Sequence, residues 1–362
     1  MKICLIGDGL TNLVLAKSLT EKNINVFLYY TPTKTKLTNN RTIGISKENF
    51  DFFQKKIIKI DQISWPINFI KIFSEKNLKD KLLSFGPKEK KLFYIVENHK
   101  LYKKIEKNLK QKKNFKKIKI KNKLFYEKIL KNNKFDIIIN SEKQNLINKK
   151  IFYKRILKDY NGEATVGFIQ HQKNRNNEAV QIFTNLGPLA FLPISNTKTS
   201  IVYSIHSHRT ITEKQLKNLI IKYNKVYKIN YFSKFKKFKL KLSLSRNYFY
   251  KNILCFGDNL HTIHPLAGQG FNMTIRDIKI LLEIIDNNLS LGLPLDKSIL
   301  LDFELKTKHL NYIFSTGIDF IYEFFRFDIQ KNYSSKILRT FENNKIFKKY
   351  LIRFADSGLS TY

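Results

Sequence analysis

"GDNLHTIHPLAGQGFN", residues 257–272, is the stretch on which the reading of this chain turns. In sixteen residues it holds three of the thirteen glycines, one of the seven prolines and two of the seven histidines, inside a text dominated by Lys, Asn, Ile and Phe. "NILCFGD" ahead of it reads as a buried strand ending at Asp258, and "FNMTIRDIKILLEIIDN" after it as an amphipathic helix beginning near Phe271. A carboxylate at a strand end can accept from a sugar-like hydroxyl. Gly268-Gln269-Gly270 opens a helix whose free N–H groups can hold an electron-rich ring or a phosphate.

The N-terminus carries a related pattern. "KICLI" at 2–6 is a short buried strand that runs into Gly7-Asp8-Gly9; "LTNLVLAKSLTEKN" has helical spacing, and "INVFLYY" at 24–30 is a second strand. This is a βαβ unit whose glycine turn lets the backbone approach a pyrophosphate at a helix N-terminus. Gly7 and Gly9 fill the first two positions of G-x-G-x-x-G, and Asn12 stands at the third. The end of the second strand, Tyr29-Tyr30-Thr31, lacks the carboxylate that would take an adenosine ribose.

Between these ends, "LFYIVENHKLYKKIEKNLKQ" leads from strand to basic helix and "FDIIIN" is another buried strand. From 151 to 250 the runs "ATVGFIQ", "AVQIFT", "LAFLPI" and "SIVYSIH" predict a mainly antiparallel sheet, and the tail from about 301 reads as several helices. The expected architecture is α/β: a Rossmann-like domain from 1–150 and 246–300, a substrate domain at 151–245 with part of 63–92, and a helical C-terminal region at 301–362.

Composition narrows the function classes. The net charge of +38 suggests a polyanion partner, but only nine of the 67 basic residues are Arg, the side chain suited to bidentate phosphate and base recognition. The joint abundance of Lys, Asn, Ile, Phe and Tyr fits compositional drift on solvated faces better than nucleic-acid binding. Cys4 and Cys255 lie in strand-like runs and read as small core residues. With no secretory h-region and no apolar run of spanning length, the expectation is a cytoplasmic protein, peripheral at the inner face of an anionic membrane.

The spelling "HTIHPLAGQGFN" resembles the ubiquinone-biosynthesis hydroxylases among the FAD-dependent aromatic monooxygenases of para-hydroxybenzoate hydroxylase fold. "RTIGIS" with Arg41, "ISWPI", "YIVEN", "AVQIFTNLGPLAFLPI", "IRD" at 275–277, "TGIDFIYEFF" and "FADSGL" are similar to family segments in the same order. The resemblance implies FAD as cofactor: Gly7 and Gly9 at the pyrophosphate, Arg41 on the adenosine side, Gly257 and Asp258 at the ribityl chain. Pro265, Leu266, Ala267, Gly268, Gln269, Gly270 and Asn272 would lie around the isoalloxazine. It also implies a reaction, hydroxylation of a polyprenylated phenol by O₂ through a flavin C4a-hydroperoxide, with NAD(P)H as reductant. The chain departs from the pattern where the family carries an Asp-Gly pair: Asn140-Ser141-Glu142 stand there instead. That departure keeps a second class open, a non-catalytic flavin-fold subunit of a biosynthetic complex.

In this reading no protein side chain is a nucleophile, and no metal is expected. His261 and His264 are expected to make structural hydrogen bonds, His206 and His208 to share a strand face, and Trp65 to be core or substrate wall.

Overall fold

The computed structural model describes residues 1–32, 41–76, 78, 81–86, 92–131, 134–206, 211–265 and 268–331. Elements are numbered along the chain. The N-terminal βαβ unit consists of β1 (Lys2–Ile6), α1 (Leu10–Thr20) and β2 (Asn25–Tyr30). With β8 (Phe115–Lys119), β9 (Ile137–Asn140), β16 (Phe249–Tyr250) and β17 (Ile253–Cys255) it forms a sheet of order β16-β17-β9-β1-β2-β8. The strands are parallel except for the β16–β17 pair.

A parallel strand is covered on both faces, so it must be apolar on both. Ile3, Cys4, Leu5 and Ile6 are all fully buried, as are Ile138, Ile139, Leu254 and Cys255. Both cysteines are buried free thiols. Helix α1 is buried nearly all round, at Leu13, Val14, Leu15, Ala16 and Leu19. It packs on α3 (Asn98–Leu109) and on α7 (Gln269–Ser290). Helices α4 (Leu124–Lys131) and α5 (Leu146–Lys150) flank β9 in sequence.

A small antiparallel sheet, β3 (Thr42–Ser46), β7 (Phe93–Glu97) and β4 (Ser64–Ile67), stands beside α2 (Lys47–Phe52) and α7. Its close packing depends on Gly44, where a Cβ would lie 2.0 Å from the Phe93 ring. Trp65 donates through Nε1 to the carbonyl of Asn176, 2.5 Å away, and packs in a satellite apolar cluster with Ile67, Phe93 and Ile95.

The large sheet contains β5 (Phe69–Ser74), β6 (Leu83–Phe85), β10 (Arg155–His171), β11 (Glu178–Thr184), β12 (Gly187–Ser195), β13 (Lys198–His206), β14 (Ile229–Phe232), β15 (Lys236–Ser245) and β18 (His261–Thr262). It is antiparallel apart from the β5–β11 pair. One face is covered by α6 (Glu213–Tyr223), a helix started by a Thr212/Gln215 capping box. On the other face Tyr160, Ala164, Phe183, Leu240, Leu242 and Leu244 meet Ile263 and Met273 from the first domain, and Phe314, Ile318 and Tyr322. The last three belong to α8 (Lys297–Lys331), a single helix of 35 residues where the sequence pattern suggested several. The pattern is broken by Thr316-Gly317, yet packing on the sheet and on α7 holds the helix through it. "FADSGL" lies outside the described residues. Among the described residues no helix is long and apolar enough to cross a membrane.

Candidate flavin site

Two strand-to-helix turns meet at the C-terminal edge of the parallel sheet. At the first, Gly7 has φ +101°, a conformation that favours glycine, and a Cβ on Gly9 would meet no atom within 4 Å. Helix α1 starts with no side-chain cap and no acidic residue in its first turn, so its first N–H groups have no intrahelical partner. Asn12 is fully buried and donates to the carbonyls of Ile6 and Gly7 at 2.9 and 2.7 Å. A side chain thus braces the turn where the usual pattern has glycine.

At the second turn Gly257 has φ +61°, and a Cβ there would lie 2.8 Å from Thr11 in the first turn of α1. This close approach places exposed Asp258 beside the glycine turn of β1. Lys143, from the loop after β9, donates to Thr262 Oγ1 at 2.6 Å. Lys143 is exposed over much of its surface, yet desolvation by the protein packed around it lowers its pKa; Asp258 opposes this, while Arg155 and Arg41 reinforce it, so four charged groups share one field.

The stretch after β18 leads to Gly268, φ +66°, the N-cap of α7. The helix begins at Gln269, two residues before the expected start, again with no side-chain cap and no acid in its first turn. A Cβ on Gly268 would lie 3.6 Å from the backbone nitrogen of Gly44. Asn272 sets that approach: its Nδ2 donates to the Gly44 carbonyl at 3.1 Å, and its Oδ1 accepts from the Ser46 N–H and from Asn49 at 3.0 and 3.1 Å. Its polar atoms are taken up by β3 and α2, which makes it a brace behind the turn. Gln269 is buried, Pro265 and Gly270 are partly exposed, and Leu266 and Ala267 lie outside the described residues. Arg41 is exposed at the start of β3.

The histidines divide. His261 makes a structural contact, Nε2 lying 2.6 Å from Asp277 Oδ2 with both side chains buried. His264 does not: it is fully buried, and neither ring nitrogen has a partner among the described residues. Its ring lies against Tyr322 and Tyr160, at centroid distances of 4.1 and 5.1 Å. The expected hydrogen bond is not made among the described residues, where the ring's aromatic neighbours Tyr322 and Tyr160 pack against it without bonding to its nitrogens. His206 stands close by, its ring nitrogens 2.7 and 2.9 Å from the Tyr322 hydroxyl; His208 lies outside the described residues.

Burial, assisted by nearby His206, pushes the His264 imidazole down to about 3; burial and Arg326 push His206 down to about 4. Both rings are neutral in the fold at neutral pH, whereas an unfolded histidine titrates near 6.5. As pH falls below about 6.5 the unfolded state takes up the protons first, so stability is lost between there and about 3 to 4. The His264 share is about 2 kcal/mol by pH 5. Urea unfolding of the wild type and of His264→Phe at pH 7.5 and 5 should give a shallower acid loss in the variant; equal slopes would contradict this account.

The sequence matches the model of the FAD binding domain family over residues 179–290. It is 28% identical over 162 residues to the 3-demethoxyubiquinol 3-hydroxylase of Escherichia coli K12, an alignment spanning 42% of this chain and 41% of that relative. It is 23% identical over 355 residues to the mitochondrial ubiquinone biosynthesis monooxygenase COQ6 of Caenorhabditis elegans, spanning 80% of this chain and 78% of the relative. The p-nitrophenol 4-monooxygenase PnpA of Pseudomonas putida superposes with a TM-score of 0.77 at 8% identity, over 99% of this chain and 98% of that one. The sequence likeness is to an FAD binding domain and to relatives named as ubiquinone hydroxylases and monooxygenases, and the fold is that of FAD-dependent monooxygenases. Its cofactor is FAD.

The residues at these turns fit that cofactor. Two helix N-termini with no side-chain cap and no acid in the first turn suit an anionic diphosphate and an electron-rich ring: α1, against which Gly257 packs at Thr11, and α7, whose N-cap Gly268 packs on Gly44. Lys143 and Arg41 add positive charge, and Asp258 supplies an acceptor for hydroxyls. Sequence reasoning missed Lys143, Asn49 and Gly44. Lys143 is one of many lysines, and only the fold shows that it is drawn into the site.

Proposed function

We propose that this protein is an FAD-dependent monooxygenase of ubiquinone biosynthesis, hydroxylating the aromatic ring of a polyprenylated phenol with O₂, with NAD(P)H as reductant. The observation that carries this reading is His264: a fully buried imidazole, one residue before Pro265, whose nitrogens have no partner among the described residues and whose ring lies against Tyr160 of the large sheet. Buried polar groups are nearly always hydrogen-bonded, so an imidazole without a partner among the described residues, beside an apolar wall, suits a ligand that is mostly apolar and carries a hydroxyl. The names of the relatives agree with such a ligand.

When bound and reduced, FAD supplies the activated oxygen. The chain holds and shields the substrate. In the proposed arrangement Gly7, Gly9, Asp258 and Lys143 hold the dinucleotide; Pro265, Gly268, Gln269 and Gly270 face the ring system; Asn272 braces the turn. Phe183, Leu240, Leu242 and Ile263 exclude water. Neutral His264 offers one donor and one acceptor to the phenolic hydroxyl, and the Tyr322–His206 contact lies beyond it. A prenyl tail and a chain of net charge +38 suit work at an anionic membrane surface, alone or with other biosynthetic subunits.

The test is the visible spectrum of the purified protein with FAD, followed by reduction with NADPH or NADH and incubation with a short-chain prenylphenol in air. Flavin bands, oxygen uptake and a product one oxygen atom heavier are expected. A protein that stays colourless in excess FAD would overturn the enzymatic reading and leave the accessory-subunit alternative.

A further inference from the structure

The missing ribose carboxylate and the missing Asp-Gly pair have one structural answer. Strand β9 lies beside β1 on the side away from β2, with Ile6 opposite Asn140. The loop that follows turns back against the first glycine turn. Ser141 donates to the Ile6 carbonyl through both its N–H and its Oγ, at 3.1 and 3.2 Å. A Cβ on Gly7 would lie 3.1 Å from Ser141 Oγ and 3.4 Å from Glu142 Cβ. The glycine at that turn therefore leaves room for this loop.

Glu142 is tied to the end of β2 through one phenol. Tyr126, on α4, donates to Glu142 Oε2 at 2.9 Å, and its hydroxyl lies 3.2 Å from Thr31 Oγ1. Burial pushes the Tyr126 phenol up to about 12, so it stays a donor at neutral pH. Glu142 is partly exposed, and its Oε1 has no partner among the described residues. One carboxylate oxygen is held in place and the other is free to accept.

The loop is rigid without glycine because four buried asparagines build it. Asn140 Oδ1 accepts from the Glu142 N–H and from Asn145 at 3.3 and 2.8 Å. Asn148 donates to the carbonyls of Glu142 and Lys143 at 2.5 and 2.9 Å. Asn259, next to Asp258, donates to Asn148 Oδ1 at 2.9 Å. The network joins this loop to the second turn and leaves two neighbouring side chains pointing out: Lys143 to Thr262, near Asp258, and Glu142 to the end of β2.

We propose that Glu142 is the acceptor for the adenosine ribose hydroxyls of FAD, supplied by the loop after β9 in place of the carboxylate that β2 lacks. This rests on the FAD reading above. A carboxylate oriented by one phenol and open at its second oxygen suits a vicinal diol, and a charged acceptor binds hydroxyls more strongly than a neutral one.

The experiment titrates wild type, Glu142→Gln and Tyr126→Phe with FAD and with FMN, which lacks the adenosine, following quenching of flavin fluorescence. Gln keeps an acceptor but loses the charge, so the Kd for FAD should rise about tenfold, with the Kd for FMN unchanged. Tyr126→Phe should shift the FAD titration in the same direction and by less. Equal loss of FAD and FMN affinity in Glu142→Gln would make the residue a structural support and overturn the proposal, as would unchanged FAD affinity. A wild type that binds neither flavin would overturn the FAD reading itself, and this proposal with it.

Discussion

Asp277→Ala should destabilise the protein by about 3–5 kcal/mol, the usual cost of leaving a buried charged or hydrogen-bonded partner unsatisfied. Asp277 is 1% exposed, with Oδ2 2.6 Å from His261 Nε2 and Oδ1 accepting from Asn311 at 3.0 Å. Among the described residues His261 Nδ1 lacks a partner, and the one further contact of the Asn311 amide is the Tyr248 hydroxyl, at the long distance of 3.4 Å. The site joins three elements: β18 ahead of the flavin-facing stretch, α7 behind it, and α8. Urea unfolding measures the loss, and Asp277→Asn, which keeps one acceptor, should lose less. A loss under about 1 kcal/mol in Asp277→Ala would refute the assignment of a buried, irreplaceable carboxylate.

Asp258→Ala should weaken FAD binding by roughly 10- to 150-fold, the range for hydrogen bonds to a charged group at about 1.5–3 kcal/mol. Its side chain is exposed in the short turn Gly257–Asn259, so removing it should leave the fold and the urea midpoint unchanged. Two effects oppose each other. Loss of the acceptor weakens the contact with the flavin hydroxyls, while loss of a negative charge beside Lys143 and Arg41 favours the diphosphate. The first should prevail because the exposed charge is screened by solvent, whereas a directed hydrogen bond in the cleft is not. A titration at 0.05 and 0.5 M salt separates them: the hydrogen-bond loss persists at high salt. An FAD Kd equal to the wild type would remove Asp258 from the site.

The strand–glycine–helix turns were legible because each is local. Gly7, Gly9, Gly257 and Gly268 stand where a short apolar run ends and a helical period begins, and backbone sterics act over a few residues. The buried strands 2–6 and 137–140 were legible for the same reason. The start of α7 was displaced by two residues because glycines obscured the period. The length of α8 escaped because tertiary packing, not propensity, carries the helix past Gly317.

The candidate site was legible only in its backbone. Sequence by itself determined the class of fold and where it turns, since periodicity and glycine placement are properties of neighbouring residues. Tertiary structure decided which side chains face one another. It spent Asn272 on β3, paired His261 with Asp277, set the His264 ring against Tyr322 and Tyr160, and brought Glu142 and Lys143 from a glycine-free loop to the two turns. Those pairings span separations of up to 228 residues. They follow from register and burial in the assembled sheets, on which the local sequence carries no signal.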